Sequence, residues 1–310
     1  MANESYRIEY QPQLVVDTVL WVIAGHPEEK SFRKERNPIY QLQNEEVREE
    51  NFQVLHERWY DHLGLSESLH MVLAIWPIIK LQTHKCQVLK ARSKKDVGTE
   101  LYVAADAPGV TDRGGRSIVI QVTPELLGQP QNLLTFLRHE FLHIVDMLDP
   151  QFGYKPNLPK SENGRTYDRF LQERYGILWD ICIDGRLHRR GWLPASVKDA
   201  HWTIFANNFP GPQADLEKVF GFFFKNISPK HEELLSFSMS PETWFNTSNS
   251  ESTIKGQCTL CHFPSFDLID ASINLPSSLV AEIQNENSTW QSNEPICHQC
   301  ADLYELRRYE

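Results

Sequence analysis

The chain has 310 residues, 41% of them hydrophobic, a formal net charge of -10 and six cysteines. That length holds one large or two modest domains with a real core, and the acidic balance argues against non-specific nucleic-acid affinity, which needs a basic face to displace counterions. No N-terminal run has the basic, apolar, small-residue order of a secretory signal, and the longest apolar stretch, Leu69 to Ile79, is too short to span a bilayer and contains Pro77, so the sequence reads as soluble and cytoplasmic.

Residues 11–25 and 32–62 have helical periodicity, the second charge-laced by Glu45, Glu46, Arg48, Glu49 and Glu50. A helix from Ser66 to Leu81 should bend near Pro77, which lacks the N–H a helix interior needs. Cys86 to Ala91, Glu100 to Ala105 and Ser117 to Val122 alternate or run apolar at strand length, with the loop Asp112-Arg113-Gly114-Gly115-Arg116 between the last two. Thr123-Pro124 leads into a helix from Pro130 to Leu148, and a Pro-, Gly-, Asn- and Lys-rich loop follows at 150–164. A long helix is expected from Arg165 to Arg190, stopped by Gly191. After the breaker Pro210-Gly211-Pro212, a helix from Gln213 to Asn226 carries Phe220, Phe222, Phe223 and Phe224, read as core. Thr247 to Thr253 reads as a linker separating a domain at 1–246 from a module at 254–304.

His139-Glu140-Phe141-Leu142-His143 is an H-E-x-x-H motif in the Pro130–Leu148 helix. Positions i and i+4 share a helix face, so both imidazoles can reach one metal ion, while Glu140 can reach a water beside it. Histidine pairs on amphipathic helices are often plain surface or core residues. Here Phe136, Leu137, Phe141, Leu142, Ile144 and Val145 surround them, and buried polar groups need partners. Strand, turn, then H-E-x-x-H helix is also the order a metallopeptidase active site uses.

A catalytic zinc needs a third protein ligand. Asp180 and Asp184 stand four apart in the long helix, flanked by Ile177, Leu178, Trp179, Ile181 and Ile183, with Glu173 two turns earlier on the same stripe. One aspartate could bind the metal while the other accepts the free N–H of a histidine ligand. This H-E-x-x-H helix followed by a carboxylate-bearing helix resembles the gluzincin branch of the zincin metallopeptidases. That resemblance implies an α+β zincin-like fold, mainly helical, with a small mixed sheet packed on the active-site helix. It makes Asp180 the ligand and Asp184 its orienting neighbour, with Asp where Glu is usual. Leu178 to Asp184, with Leu193-Pro194 after it, is also similar to metallopeptidase domains found beside von Willebrand-type modules, and this implies Asp184 as ligand. The likeness covers roughly residues 117–195. Two rivals remain: Asp149, where snapalysin-like metzincins place an Asp although their motif glycine is Asp146 here, and His188, as in Spartan-like proteases. The order of preference is Asp184, Asp180, Asp149, His188; Asp146 reads as a surface carboxylate or one supporting a metal ligand.

Cys258-Thr259-Leu260-Cys261 and Cys297-His298-Gln299-Cys300 form two C-x-x-C pairs separated by 35 residues. In a reducing compartment this spacing reads as a structural zinc site and resembles a zinc ribbon or treble clef. Cys86 and Cys182 read as small buried residues. The module is acidic, so a structural cap or a docking surface for a protein partner fits it better than phosphate binding.

The sequence therefore predicts a zinc-dependent peptidase with one catalytic and one structural Zn2+, a protein or peptide substrate and Glu140 as general base. The Ile118 to Val122 strand is expected to align substrate at a sheet edge; Tyr154, Tyr167 and His188 are candidate oxyanion stabilisers. The alternatives are a non-catalytic, metal-stabilised binding or assembly protein on a zincin scaffold, and a DNA-associated protease of Spartan type, which the acidic charge opposes.

Overall fold

A computed structural model of the chain describes residues 6–104, 115–160, 164–245, 256–265 and 267–306. The expected linker, Thr247 to Thr253, lies outside the described residues. Contacts divide the chain into two compact units, Met1–Pro150 and Gln151–Glu310.

The first unit runs β1 (Arg7–Tyr10), α1 (Pro12–Ile23), α2 (Glu29–Arg36), α3 (Glu45–His62), α4 (Glu67–Ile75), α5 (Pro77–Gln82), β2 (Lys85–Lys90), β3 (Gly98–Val103), β4 (Arg116–Val122), α6 (Pro124–Leu127) and α7 (Pro130–Leu148). Its sheet has the order β1-β2-β4-β3; β1, β2 and β4 are parallel and β3 is antiparallel to β4. In β4, buried Ile118, Ile120 and Val122 alternate with partly exposed neighbours, as a pleated strand with one face in a core requires. Cys86 and Val88 of β2 join that face. Helix α1 packs on α3 and α6, and α4 and α5 pack on α7.

Two expectations need correction here. The single helix over 32–62 is two helices separated by a 3-10 turn at Asn37–Gln41. Pro38 has no N–H to continue the α2 ladder, and α3 restarts where the Asn44 side chain accepts the Val47 N–H at 3.2 Å. The strand Ile118 to Val122 is interior, paired on both sides, so it offers no edge; the edges are β1 and β3. Pro77 acts as expected, opening α5 after α4 ends at Ile75.

The second unit contains α8 (Arg165–Arg189), α9 (Ser196–Asn208), α10 (Gln213–Lys225), α11 (His231–Met239), β5 (Gly256–Gln257), β6 (Pro264–Ser265), β7 (Leu268–Asp270), α12 (Ala271–Asn274), α13 (Ser277–Glu286), β8 (Pro295–Cys297) and α14 (His298–Leu306). Helices α9, α10 and α11 pack on α8. Gly185 lets α8 and α10 meet closely, because a Cβ built there would lie 2.0 Å from the Phe224 carbonyl oxygen. Phe205, Phe209, Phe220, Phe223 and Phe237 form an aromatic core, with Phe205 and Phe237 stacked at 5.9 Å. Phe224 is buried as expected, whereas Phe222 is largely exposed. The architecture is α+β, mainly helical with small sheets. No described helix is long and apolar enough to cross a membrane.

Candidate metal centres

Helix α7 carries two functional faces. Leu133, Leu137, Phe141, Ile144 and Leu148 form one buried stripe at helical spacing. His139, Glu140 and His143 fall on another face and are partly exposed. The histidine Nε2 atoms lie 3.3 Å apart. Two nitrogens bound tetrahedrally to zinc at about 2.0–2.1 Å would be about 3.3–3.4 Å apart, so the pair already has the spacing of two ligand corners. Asp180, the carboxylate that the gluzincin resemblance implies as third donor, lies on α8 of the second unit and is partly exposed. Two imidazoles and a carboxylate are a donor set suited to catalytic zinc.

Glu140 is held by a backbone group that no motif encodes. Its Oε2 accepts the Thr99 N–H from β3 at 2.8 Å. The Ala104 N–H bonds the Gly115 carbonyl at 2.7 Å, and with the Thr99↔Ile120 register this fixes the phase of the ladder. Thr99, Leu101 and Val103 therefore turn their N–H and C=O groups away from β4, toward the outer edge.

The other carboxylate of the pair has a different partner. Asp184 Oδ2 lies 2.7 Å from His201 Nε2, both side chains mostly buried. His201 lies on α9, and no sequence spacing ties it to Asp184 on α8. The Asp149 N–H closes the end of α7 on the Val145 carbonyl. His188 Nδ1 faces the Leu193 carbonyl at 3.2 Å, and its ring packs near Phe224. Asp146 is buried rather than a surface residue, and Glu173 is exposed.

Of the oxyanion candidates, Tyr167 stacks on Phe263 at 4.5 Å and 10°, which commits it to the cysteine module. Tyr154 lies beside Trp179 and His231, 5.6 and 6.1 Å between ring centroids, and burial raises its pKa. His231 Nδ1 meets the Tyr175 hydroxyl at 2.7 Å.

The four module cysteines converge in a buried cluster. Cys258 and Cys261 come from the turn joining β5 and β6; Cys297 ends β8 and Cys300 lies in the first turn of α14. The sulfurs of Cys258 and Cys300 are 3.6 Å apart, and those of Cys261 and Cys297 3.7 Å. Four Zn–S bonds of about 2.3 Å give a tetrahedral edge of about 3.8 Å, so the sulfurs fit a closed site. The Cys297 N–H also points at Cys258 Sγ, 3.3 Å away. Hydrogen bonding from neighbouring thiols, Cys261 first, holds Cys258 far below the usual thiol range, and interaction with Cys258 pushes Cys261 and Cys300 far above it. So many sulfurs cannot ionise together without a cation between them. As expected, Cys86 and Cys182 are buried and apart from this cluster.

No protein-family model, curated protein or solved structure matches the chain.

Proposed function

We propose that the chain is a zinc-dependent peptide-bond hydrolase, with His139, His143 and Asp180 as metal ligands and Glu140 as general base. The 3.3 Å approach of the two Nε2 atoms on the H-E-x-x-H helix carries this reading, and Asp180 is the ligand that the gluzincin resemblance implies. A zinc ion bound there supplies Lewis-acid polarisation of a carbonyl and lowers the pKa of an attacking water. Glu140 takes the water's proton and returns it to the leaving amine. A site meant only to hold structure has no use for a carboxylate at that position, which favours hydrolysis over a binding role. The outward N–H and C=O groups of β3 suit an extended peptide, which would pair with Leu101 and Val103 by strand addition. Asp184, facing His201, is left to support the neighbouring helix rather than bind metal.

The four cysteines are proposed to hold a second, structural zinc. With one pair in a β-turn and the other at a helix start, the module fits a treble clef better than a purely β zinc ribbon. A protein partner is the proposed ligand of its surface.

Glu140→Gln keeps shape and loses basicity. The variant should retain its zinc, measured by elemental analysis, and its circular dichroism spectrum. It should lose about 10²–10⁴-fold in cleavage of substrates found in an unbiased peptide library. Equal cleavage by the variant would falsify the mechanism, and a metal-loaded wild type that cleaves no library member would sink the hydrolase reading.

A further inference from the structure

Arg174 is an anomaly of burial. It lies midway along α8, only 2% exposed, although guanidinium groups are almost never fully buried unless paired. Among the described residues no carboxylate pairs with it. Its contacts are the Gln299 carbonyl oxygen, 3.3 Å from Nη2, and the rings of Phe263 and Phe209, whose centroids lie 3.9 and 5.5 Å from Cζ. Its Nε has no partner. Gln299 itself stands between Cys297 and Cys300 and is anchored by its own amide to the Asn207 carbonyl at 2.7 Å.

Removing a guanidinium from water without a counter-charge costs several kcal/mol. Burial pushes the Arg174 pKa down, and the module cysteines, led by Cys261, oppose that shift; Gln299, which meets the guanidinium, stands between Cys297 and Cys300. As four thiols the cluster is neutral and offers the arginine nothing. As four thiolates around one divalent ion it carries a net charge of about -2 in an apolar setting.

We propose that Arg174 is the buried counter-charge of a metal-loaded tetrathiolate, fixing α8 to the module through the charge of the occupied site. This rests on the structural-metal reading of the cysteines and is independent of any peptidase activity. Phe263 contributes geometry: it takes the Tyr167 ring in a parallel stack and carries the guanidinium within cation–π distance. Tyr167, Phe170, Leu171 and Arg174 thus form one stripe of α8 turned to the module.

The test uses the full chain, with Cd2+ as probe, because thiolate ligands give a sulfur-to-metal charge-transfer absorption that the histidine site cannot. Arg174→Met keeps the length and removes the charge; Arg174→Lys keeps the charge. Chelator competition should show affinity at the cysteines falling about 10–100-fold in Arg174→Met and staying within about threefold in Arg174→Lys. The thermal midpoint supplies the discriminating readout. Arg174→Met should lower it in the metal-loaded protein, and leave it unchanged or raise it after stripping, because the metal-free fold no longer buries an unpaired cation. Equal destabilisation of loaded and stripped forms would assign Arg174 a packing role and overturn the proposal. So would unchanged Cd2+ affinity in Arg174→Met. If that variant fails to fold, Arg174→Lys decides: retained affinity supports the charge role, and a loss of tenfold or more overturns it. Absence of the charge-transfer band in the wild type would instead remove the structural-metal reading beneath it.

Discussion

Asp180 and Asp184 show how far a side chain's neighbours outweigh its spacing. Both lie on one face of α8 four residues apart, so spacing alone separates them little; the structure adds that Asp184 Oδ2 faces His201 Nε2. Its own helix, α9, had no clear signature, and no periodicity links residues on different helices. The H-E-x-x-H and C-x-x-C sets, by contrast, were readable because their geometry is local: i and i+4 on a helix, or two cysteines in one turn. Under the proposed assignment, Asp180→Ala should abolish metal binding at His139 and His143, whereas Asp184→Asn should weaken it by no more than about tenfold. Metal counts on variants with the cysteine module intact measure this, with the ion proposed for the cysteines as internal reference. Zinc lost from Asp184→Asn but kept by Asp180→Ala would exchange the two roles.

Helices α8 and α7 differ in what holds them. α7 has an apolar stripe ending in Leu148, and the sequence bounded it correctly. The 32–62 region misled because charged helical periodicity persists across Pro38 and only a 3-10 turn marks the break. The edge expectation fails differently: the strands β3 and β4 are where alternation puts them, but pairing order is a long-range property that alternation does not report. At α8, Gly185→Ala would drive a methyl against the Phe224 carbonyl. Separating the helices should cost about 1–3 kcal/mol and lower the thermal midpoint. An unchanged midpoint would mean that α8 and α10 do not approach so closely.

Among the described residues, the buried histidines are His56 in the first unit and His231 in the second. Desolvation depresses the pKa of His56 in the first and His231 in the second. The unfolded chain protonates these groups near pH 6.5 while the folded chain resists until a lower pH, so U binds more protons in between. Stability contributed by both is complete above about pH 6.5 and falls as the pH drops through that window. The thermal midpoint should therefore decline between pH 8 and pH 5.5, and less steeply when His56 and His231 are both replaced by Gln; identical slopes would remove these histidines as the cause. The short strand β1 has a further consequence. Arg7↔Lys85 begins a parallel pairing of only four residues, yet those four cover the side of β2 that β4 does not. Without them β2, with its buried Cys86 and Val88, would present bare N–H and C=O groups to any other chain. β1 thus moves the open edge from a strand with a buried face to a four-residue one with none of its residues buried, and a shorter, more polar edge is a poorer template for another chain.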